Sequence, residues 1–167
     1  MTTATETRVT TQVYRVYIKA SPQAIWDAIT KPEWTARYGY RGLTEYDLRP
    51  GGPYKALATE QMIAMGGPEV MVDGEVIEAD PPHRLVQTWH ALFDPETAAE
   101  APQRLTWEIK EEEGGISRLT VTHELEGAPK TAAAVVGDFD LVSGGGGWSW
   151  ILSDLKTLLE TGSSAFD

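Results

Sequence analysis

The feature that most constrains the fold is a change of hydrophobic period near the end of the chain. Between residues 8 and 126, several segments alternate apolar and polar side chains, as half-buried β-strands do. From residue 148 the apolar residues recur at helical spacing: Trp148, Ile151, Leu152, Leu155, Leu158 and Leu159. A run of antiparallel strands with one such helix buries its apolar face against that helix. We therefore predict an α+β fold in which a curved antiparallel sheet of six or seven strands surrounds a long C-terminal helix.

Turn and capping residues divide the rest of the chain into elements. After a first strand over residues 8–19, Ser21-Pro22 predicts the start of a short helix, and Pro32 opens a second one that runs to about Tyr38. The later strands are predicted at Leu43–Leu48, Tyr54–Ala64, Val70–Glu78, Arg84–Phe93, Arg104–Glu111 and Ile116–Glu126.

The remaining segments complete a single domain over residues 8–162. Gly74 predicts a bulge within its strand, and residues 94–102 are predicted to form a polar loop. A short helix is expected near residues 131–139, and Gly162 is expected to end the last helix. Residues 1–7 and 163–167 are expected to be flexible tails.

Composition excludes several classes of partner. The net charge is −11 and the 14 Lys and Arg residues are scattered, so neither nucleic acid nor an anionic membrane surface is expected as a partner. The chain has no cysteine and no run of 18 apolar residues, and residues 1–7 do not look like a secretory signal. We therefore expect a soluble cytoplasmic protein, as a monomer or weak homodimer. His83, His90 and His123 lack metal-binding spacing, so no metal or other cofactor is expected.

Several motifs resemble one superfamily in order and spacing. They are "VYRVYIKASPQAIWDAITKPEWTARYG", "YDLRPGGPY", "VDGEVIEADPPHRLVQTW" and "GWSWILSDLKTLLE". Over residues 8–162 the chain resembles the SRPBCC superfamily, which includes START domains and the Bet v 1 allergen, and within it the activator of Hsp90 ATPase homologue (AHSA1-like) branch. The resemblance implies a helix-grip fold with a cavity between the sheet and the last helix. It also implies similarity to members from producers of enediyne antibiotics, which are thought to protect the host by binding the drug and are sometimes cleaved by it.

A set of apolar and aromatic side chains is predicted to line that cavity. His123 alternates with the apolar residues of its strand, so it is either a polar anchor or acid/base with a pKa near neutral, or a core histidine satisfied by one hydrogen bond. For any single aromatic residue, plain core packing is the competing interpretation. The candidate ligand-binding residues are Trp26, Trp34, Tyr38, Met62, Trp89, Leu105, Trp107, Val121, His123, Phe139, Trp148 and Leu152.

Four consecutive glycines, Gly144, Gly145, Gly146 and Gly147, precede the last helix. They could be a flexible entry to that helix or a pliable gate over the cavity. The resemblance to enediyne-protective proteins adds a third role. A glycine Cα radical is stabilised by the flanking amides, so these glycines could be where an activated drug breaks the chain.

Three functions compete at this point. The first is non-catalytic binding of a hydrophobic or aromatic small molecule. The second is a cavity enzyme, such as a polyketide cyclase or a hydrolase, that uses His123. The third is a co-chaperone-like module that acts through a protein surface, although the eukaryotic co-chaperones carry an additional domain. Because no pairing of nucleophile and base can be read from the sequence, we favour the binder.

Overall fold

The chain folds as the predicted helix-grip architecture. The structure is a computed structural model that describes residues 10–138 and 145–166. The described residues contain a seven-stranded antiparallel sheet in the order β1-β7-β6-β5-β4-β3-β2. The strands are β1 (Thr11–Ile18), β2 (Leu43–Tyr46), β3 (Pro53–Leu57), β4 (Val70–Asp80), β5 (Arg84–Ala91), β6 (Gln103–Glu111) and β7 (Ser117–Glu124).

Six helices accompany the sheet in the described part of the chain. They are α1 (Pro22–Thr30), α2 (Pro32–Thr35), α3 (Glu60–Ala64), α4 (Pro95–Ala98), α5 (Pro129–Val136) and α6 (Gly147–Thr161). The two short helices after β1 are as predicted. The Ser21 hydroxyl caps α1 by accepting from the Ala24 N–H at 3.1 Å.

The predicted strand from Tyr54 to Ala64 is wrong over its second half. β3 ends at Leu57, and α3 begins at Glu60. The Thr59 hydroxyl caps α3 by accepting from the Met62 N–H at 3.2 Å. In a continued strand, the Met62 N–H would have needed an acceptor on a neighbouring strand. The Thr59 side chain supplies that acceptor locally, so the capping residue starts a helix here although the apolar pattern favours a strand. A second cap, from Asp94, likewise starts α4 inside the predicted polar loop.

Gly74 is not the predicted bulge. The register of β4 against β5 shifts between Val76 and Glu78, so the bulge lies at Ile77. At Gly74 the two strands approach so closely that a Cβ atom would lie 1.9 Å from the Thr88 carbonyl oxygen. The glycine is therefore required by close backbone approach.

The core lies between the concave face of the sheet and the helices α1 and α6. Strand alternation buries Ile18, Leu85, Leu119 and Val121 on this face, while Val13 and Tyr17 of β1 stay exposed on the other. α6 packs against β1, α1 and α5 and contributes Trp148, Leu152, Leu155 and Leu158 to the core. None of the described helices has the length and apolar character needed to cross a membrane.

Residues 163–166, which the sequence predicts as part of a flexible tail, fold back along α6. Gly162 ends α6 in the left-handed conformation, with its N–H donating to the Leu158 carbonyl at 2.8 Å. Ser164 is then buried and donates to the carboxylate of Asp154, which also accepts from the Ala165 N–H at 2.7 Å. The packed part of the chain therefore extends beyond residue 162, where the sequence predicts the end of the domain.

The start of α6 is held tightly against the end of α5. Gly147 has a φ of 65°, and a Cβ atom there would lie 2.3 Å from the Val135 carbonyl oxygen and 2.7 Å from the Gly137 nitrogen. The Gly147 N–H also donates to the Tyr40 hydroxyl at 3.2 Å. Both the left-handed backbone and the lack of space therefore require glycine at this position.

Replacing Gly147 by alanine is expected to destabilise the protein far more than the same change at Gly162. Gly162 also has a positive φ, of 87°, but open space surrounds its Cα, so Gly162→Ala carries mainly the conformational cost, about 1–2 kcal/mol. Gly147→Ala adds a backbone clash and should lower the free energy of unfolding by more than about 3 kcal/mol. Urea unfolding of both variants measures the difference. Equal losses would show that the α5–α6 junction relaxes freely.

Candidate functional site

The functional side chains lie on the concave face because of strand register. His123 of β7 stands opposite Leu105 of β6 and Gln12 of β1. Trp107 of β6 stands opposite Val121 of β7 and Leu85 of β5. The predictions that His123 shares the apolar face of its strand and that Trp89 points inward are confirmed, since both side chains are buried.

Four rings meet between the sheet and α6: Trp89, Trp107, His123 and Trp148, here called the tryptophan cluster. Trp148 is its centre, with ring-centroid distances of 5.9 Å to Trp89, 5.4 Å to Trp107 and 5.9 Å to His123. Trp89 and His123 meet edge to face at 5.0 Å. Each of the four residues is 7% exposed or less. The aromatic rings therefore occupy the region where the helix-grip fold is expected to hold a ligand.

A hydrogen bond fixes the protonation state of His123. The Trp148 indole Nε1–H donates to Nδ1 of His123 at 3.1 Å, so Nδ1 is an acceptor and the ring proton lies on Nε2. Burial away from water disfavours the charged imidazolium and lowers the pKa of His123 to about 3. Of the two interpretations left open by the sequence, the acid/base with a pKa near neutral does not hold, and His123 is a core histidine with one hydrogen bond. His123 is a neutral imidazole with its Nδ1 lone pair already engaged.

Two buried donors of the cluster lack a partner among the described residues. They are Nε2–H of His123 and Nε1–H of Trp107. The Oε1 atom of Gln103, at the start of β6, is a buried acceptor that also lacks a partner among the described residues. A buried donor without a partner costs roughly 1–3 kcal/mol, so each of these atoms lowers stability unless something enters to bond it.

Polar side chains of β2 and β3 enter the same interior. The Tyr46 hydroxyl donates to Oε1 of Gln87 at 2.6 Å, and the rings of Tyr46 and Tyr54 stack with their centroids 4.5 Å apart. Burial raises the pKa of both tyrosines well above its usual range. These polar residues were missed by the sequence analysis, although the alternation of β2 and β3 places Tyr46 and Tyr54 on one face.

The other predicted site residues divide between the core, its edge and other positions. Trp26, Tyr38, Leu105, Val121 and Leu152 are buried in the core around the tryptophan cluster. Trp34 is half-buried at the edge of the core, where the Arg37 guanidinium lies 4.8 Å from its ring centroid. Met62 lies in α3 outside this core, whereas Met71 of β4 packs against it.

The glycine run is only partly described. Phe139 and Gly144 lie outside the described residues. Gly145 and Gly146 form a turn and Gly147 opens α6, and all three are buried. The packing of Gly147 supports a fixed entry to the helix, while a gate or cleavage role for the run stays a prediction.

Two concavities of the described surface lie away from the tryptophan cluster. The larger, about 420 Å³, is on the outer face of the sheet and is lined by charged side chains, among them Arg15, Arg84, Lys110 and Arg118. The smaller, about 260 Å³, lies along β2 and β3 near Glu45 and Lys55. Neither suits an apolar ligand. In residues 10–138 and 145–166, no group of three His, Asp or Glu side chains is arranged to hold a metal.

Comparison with known proteins gives one family and several structural neighbours. The family model described as "Activator of Hsp90 ATPase homolog 1-like protein" matches residues 19–160. No protein with a curated description matches the sequence.

The structural neighbours share the fold at low identity. DynU16, a protein in the dynemicin biosynthetic locus, superposes with a TM-score of 0.66 at 21% identity, covering 94% of this chain and 49% of its own. CalU16 from Micromonospora echinospora, in solution, gives 0.61 at 20% identity, with 93% and 68% covered. An HSP90 activator from Plasmodium falciparum gives 0.55 at 20% identity, with 94% and 91% covered. This chain thus spans about half the length of DynU16, and 59% of CalU16 as crystallised.

The buried neutral state of His123 should make stability depend on pH. The unfolded chain binds a proton at His123 below its ordinary pKa of 6.5, whereas the folded protein binds one only near pH 3. The contribution of neutral His123 to the free energy of unfolding is therefore fully present above pH 6.5. It falls by about 1 kcal/mol per pH unit as the pH drops from 6.5 towards 3. Urea unfolding at pH 7 and pH 5 tests this.

His123→Gln is the control, because it removes the titrating group and keeps a side chain that can accept from Trp148. The variant should be less stable than the native protein at pH 7 but should lose less stability between pH 7 and pH 5. If the two proteins lose equal stability over this range, His123 is not buried in its neutral form.

Proposed function

The chain belongs to the family of activator of Hsp90 ATPase homolog 1-like proteins, and from that premise we propose that it binds an apolar or aromatic small molecule between the sheet and α6 without transforming it. The observation that carries the proposal is the tryptophan cluster. Its rings are gathered from β5, β6, β7 and α6 between the sheet and the last helix, where the helix-grip fold is expected to hold a ligand. Aromatic faces and edges offer large contact area to a flat apolar molecule.

Binding exchanges one set of ring contacts for another. The cluster is packed in the described structure, so a ligand separates Trp89 and Trp107 from Trp148 and takes over the contacts between those rings, while the hydrogen bond from Trp148 to His123 stays in place. Such an exchange keeps apolar area buried in both states.

The state of His123 favours a binder over an enzyme. A general base works best with a pKa near the operating pH and a free lone pair. His123 has a pKa of about 3, and its Nδ1 already accepts from Trp148. The cavity-enzyme alternative therefore loses its candidate base.

Filling the interior is expected to abolish binding while filling the outer face is not. Val121 is fully buried on the concave face beside Trp107, and the adjacent Thr120 points to the outer face of the sheet. Val121→Phe should weaken the affinity for a flat aromatic ligand at least tenfold, since the added ring takes the space that the ligand needs. Thr120→Phe should change it less than about twofold. Quenching of tryptophan fluorescence measures both affinities.

Two outcomes distinguish the proposals. Equal affinity in the two variants would place the ligand outside the sheet–α6 interior. No saturable quenching of the native protein by flat polyketides, steroids or lipids would overturn the binder. In that case, the remaining candidate function is a role that depends on binding another protein at the surface, as suggested by the shared fold of the HSP90 activator from Plasmodium falciparum. Circular dichroism of Val121→Phe confirms that any loss of binding occurs in a folded protein.

A narrower form of the proposal is that the ligand is an enediyne antibiotic, bound to protect the producing cell. It is supported by the shared fold with DynU16, a protein in the dynemicin biosynthetic locus, and by the glycines that directly precede Trp148. An activated enediyne is a diradical that takes a hydrogen atom from a glycine Cα. The C–H bond breaks, a new one forms on the drug, and the carbon radical left behind adds dioxygen from solution before the backbone breaks.

Incubation with a thiol-activated enediyne is expected to cut the chain within residues 144–147. Gly114 and Gly115 provide an internal control, because they are exposed in the turn between β6 and β7. A diradical acting from free solution would attack those glycines first, whereas a drug bound at the tryptophan cluster would cut beside Trp148. Mass spectrometry of the intact protein and its fragments decides. An intact chain would limit the proposal to binding, and a cut at Gly114 or Gly115 would argue against a bound drug.

A further inference from the structure

The unpartnered polar atoms of the interior constrain what kind of ligand it can hold. Within the tryptophan cluster the two unpartnered atoms, Nε2–H of His123 and Nε1–H of Trp107, are both donors. A pure hydrocarbon would leave both unbonded. A ligand with an acceptor would recover the cost of burying them.

The two donors belong to one region of the concave face. Trp107 is paired with Val121, which is two residues from His123 on the same face of β7, so Trp107 and His123 are diagonal neighbours across adjacent strands. Diagonal neighbours are about 7–8 Å apart at the backbone, within reach of long and aromatic side chains. Both rings also contact Trp148. The shared contact with Trp148 keeps both donors within the tryptophan cluster, and a single oxygen carries the two lone pairs that they need.

The chemistry of the site selects a neutral acceptor. A carboxylate or phosphate would bring an uncompensated charge into the interior, because His123 is neutral and no cation belongs to the tryptophan cluster. A hydroxyl that accepted from both donors would bring a proton of its own, and the unpartnered acceptor, Oε1 of Gln103, lies opposite Trp89 and diagonal to His123, on the far side of Leu105 from Trp107. A carbonyl oxygen accepts twice and donates nothing.

We propose that the ligand of this protein is a flat ketone or quinone whose carbonyl oxygen accepts hydrogen bonds from Trp107 Nε1–H and His123 Nε2–H. The inference rests on the proposed function and narrows it from apolar molecules in general to carbonyl-bearing ones. Trp148 acts as a positioning residue, since its bond to Nδ1 keeps the proton of His123 on Nε2.

The test compares fluorenone with fluorene, two flat molecules of the same outline that differ in one carbonyl oxygen. Their affinities are measured by equilibrium dialysis for the native protein, for Trp107→Phe and for Trp150→Phe. Trp150 is the matched control because its indole Nε1–H is also buried without a partner among the described residues, but its ring stacks on Tyr40 and Phe166, outside the tryptophan cluster.

The ratio of fluorenone to fluorene affinity is expected to fall about three- to tenfold in Trp107→Phe and to stay unchanged in Trp150→Phe. Taking the ratio cancels any general effect of the variant on packing. If both ligands bind and the ratio is the same in all three proteins, the carbonyl inference is overturned while the proposed function stands. If neither ligand binds the native protein, both fail.

A second measurement needs no variant. The indole N–H proton of Trp107 should shift downfield in the NMR spectrum when fluorenone binds to the native protein, because the donor gains an acceptor. Fluorene should leave it without such a shift. Equal responses to the two ligands would overturn the inference.

Discussion

The hydrogen bond from Trp148 to His123 connects the sheet to the C-terminal helix α6. It joins the first turn of α6 to the last strand of the sheet, and both partners are buried. A buried bond of this kind is expensive to break, because the Trp148 N–H would be left without an acceptor and Nδ1 of His123 without a donor. It fixes where α6 begins on the sheet, and it fixes the tautomer of His123. The polarity of the interior depends on that tautomer.

A second buried polar contact holds α6 at its middle. Asp154 accepts from the Gly39 N–H after α2 and from Ser164 and Ala165 of the returning chain, so one carboxylate joins α6 to two other segments. Between these anchors the helix contributes only apolar contacts, which tolerate rotation and sliding better than hydrogen bonds do. The apolar stretch of α6 between Trp148 and Asp154 is therefore where a ligand would meet the least polar resistance.

The sequence predicts the faces of the elements better than their ends. Alternation correctly placed Trp107, His123 and Trp89 on the concave side, because the side-chain period of a strand depends only on the local backbone. It could not show that Thr59 caps a helix where an apolar run suggests a strand, nor that Gly74 serves a close approach to Thr88 while the bulge lies at Ile77. Those outcomes depend on which strands pair and in what register, which a single sequence does not specify.

The sequence also does not show which buried polar atoms form hydrogen bonds. Tyr46 donates to Gln87, whereas Trp107 and His123 each leave a buried donor without a partner among the described residues, although all four residues lie on strands of one sheet. A protein selected only for stability gains by replacing such donors with apolar groups of similar shape. The proposed binding function accounts for their presence in a cluster of aromatic rings. A ligand that supplied the acceptor would recover the free energy that the unbonded donors cost, so the same atoms that lower the stability of the fold would hold the ligand.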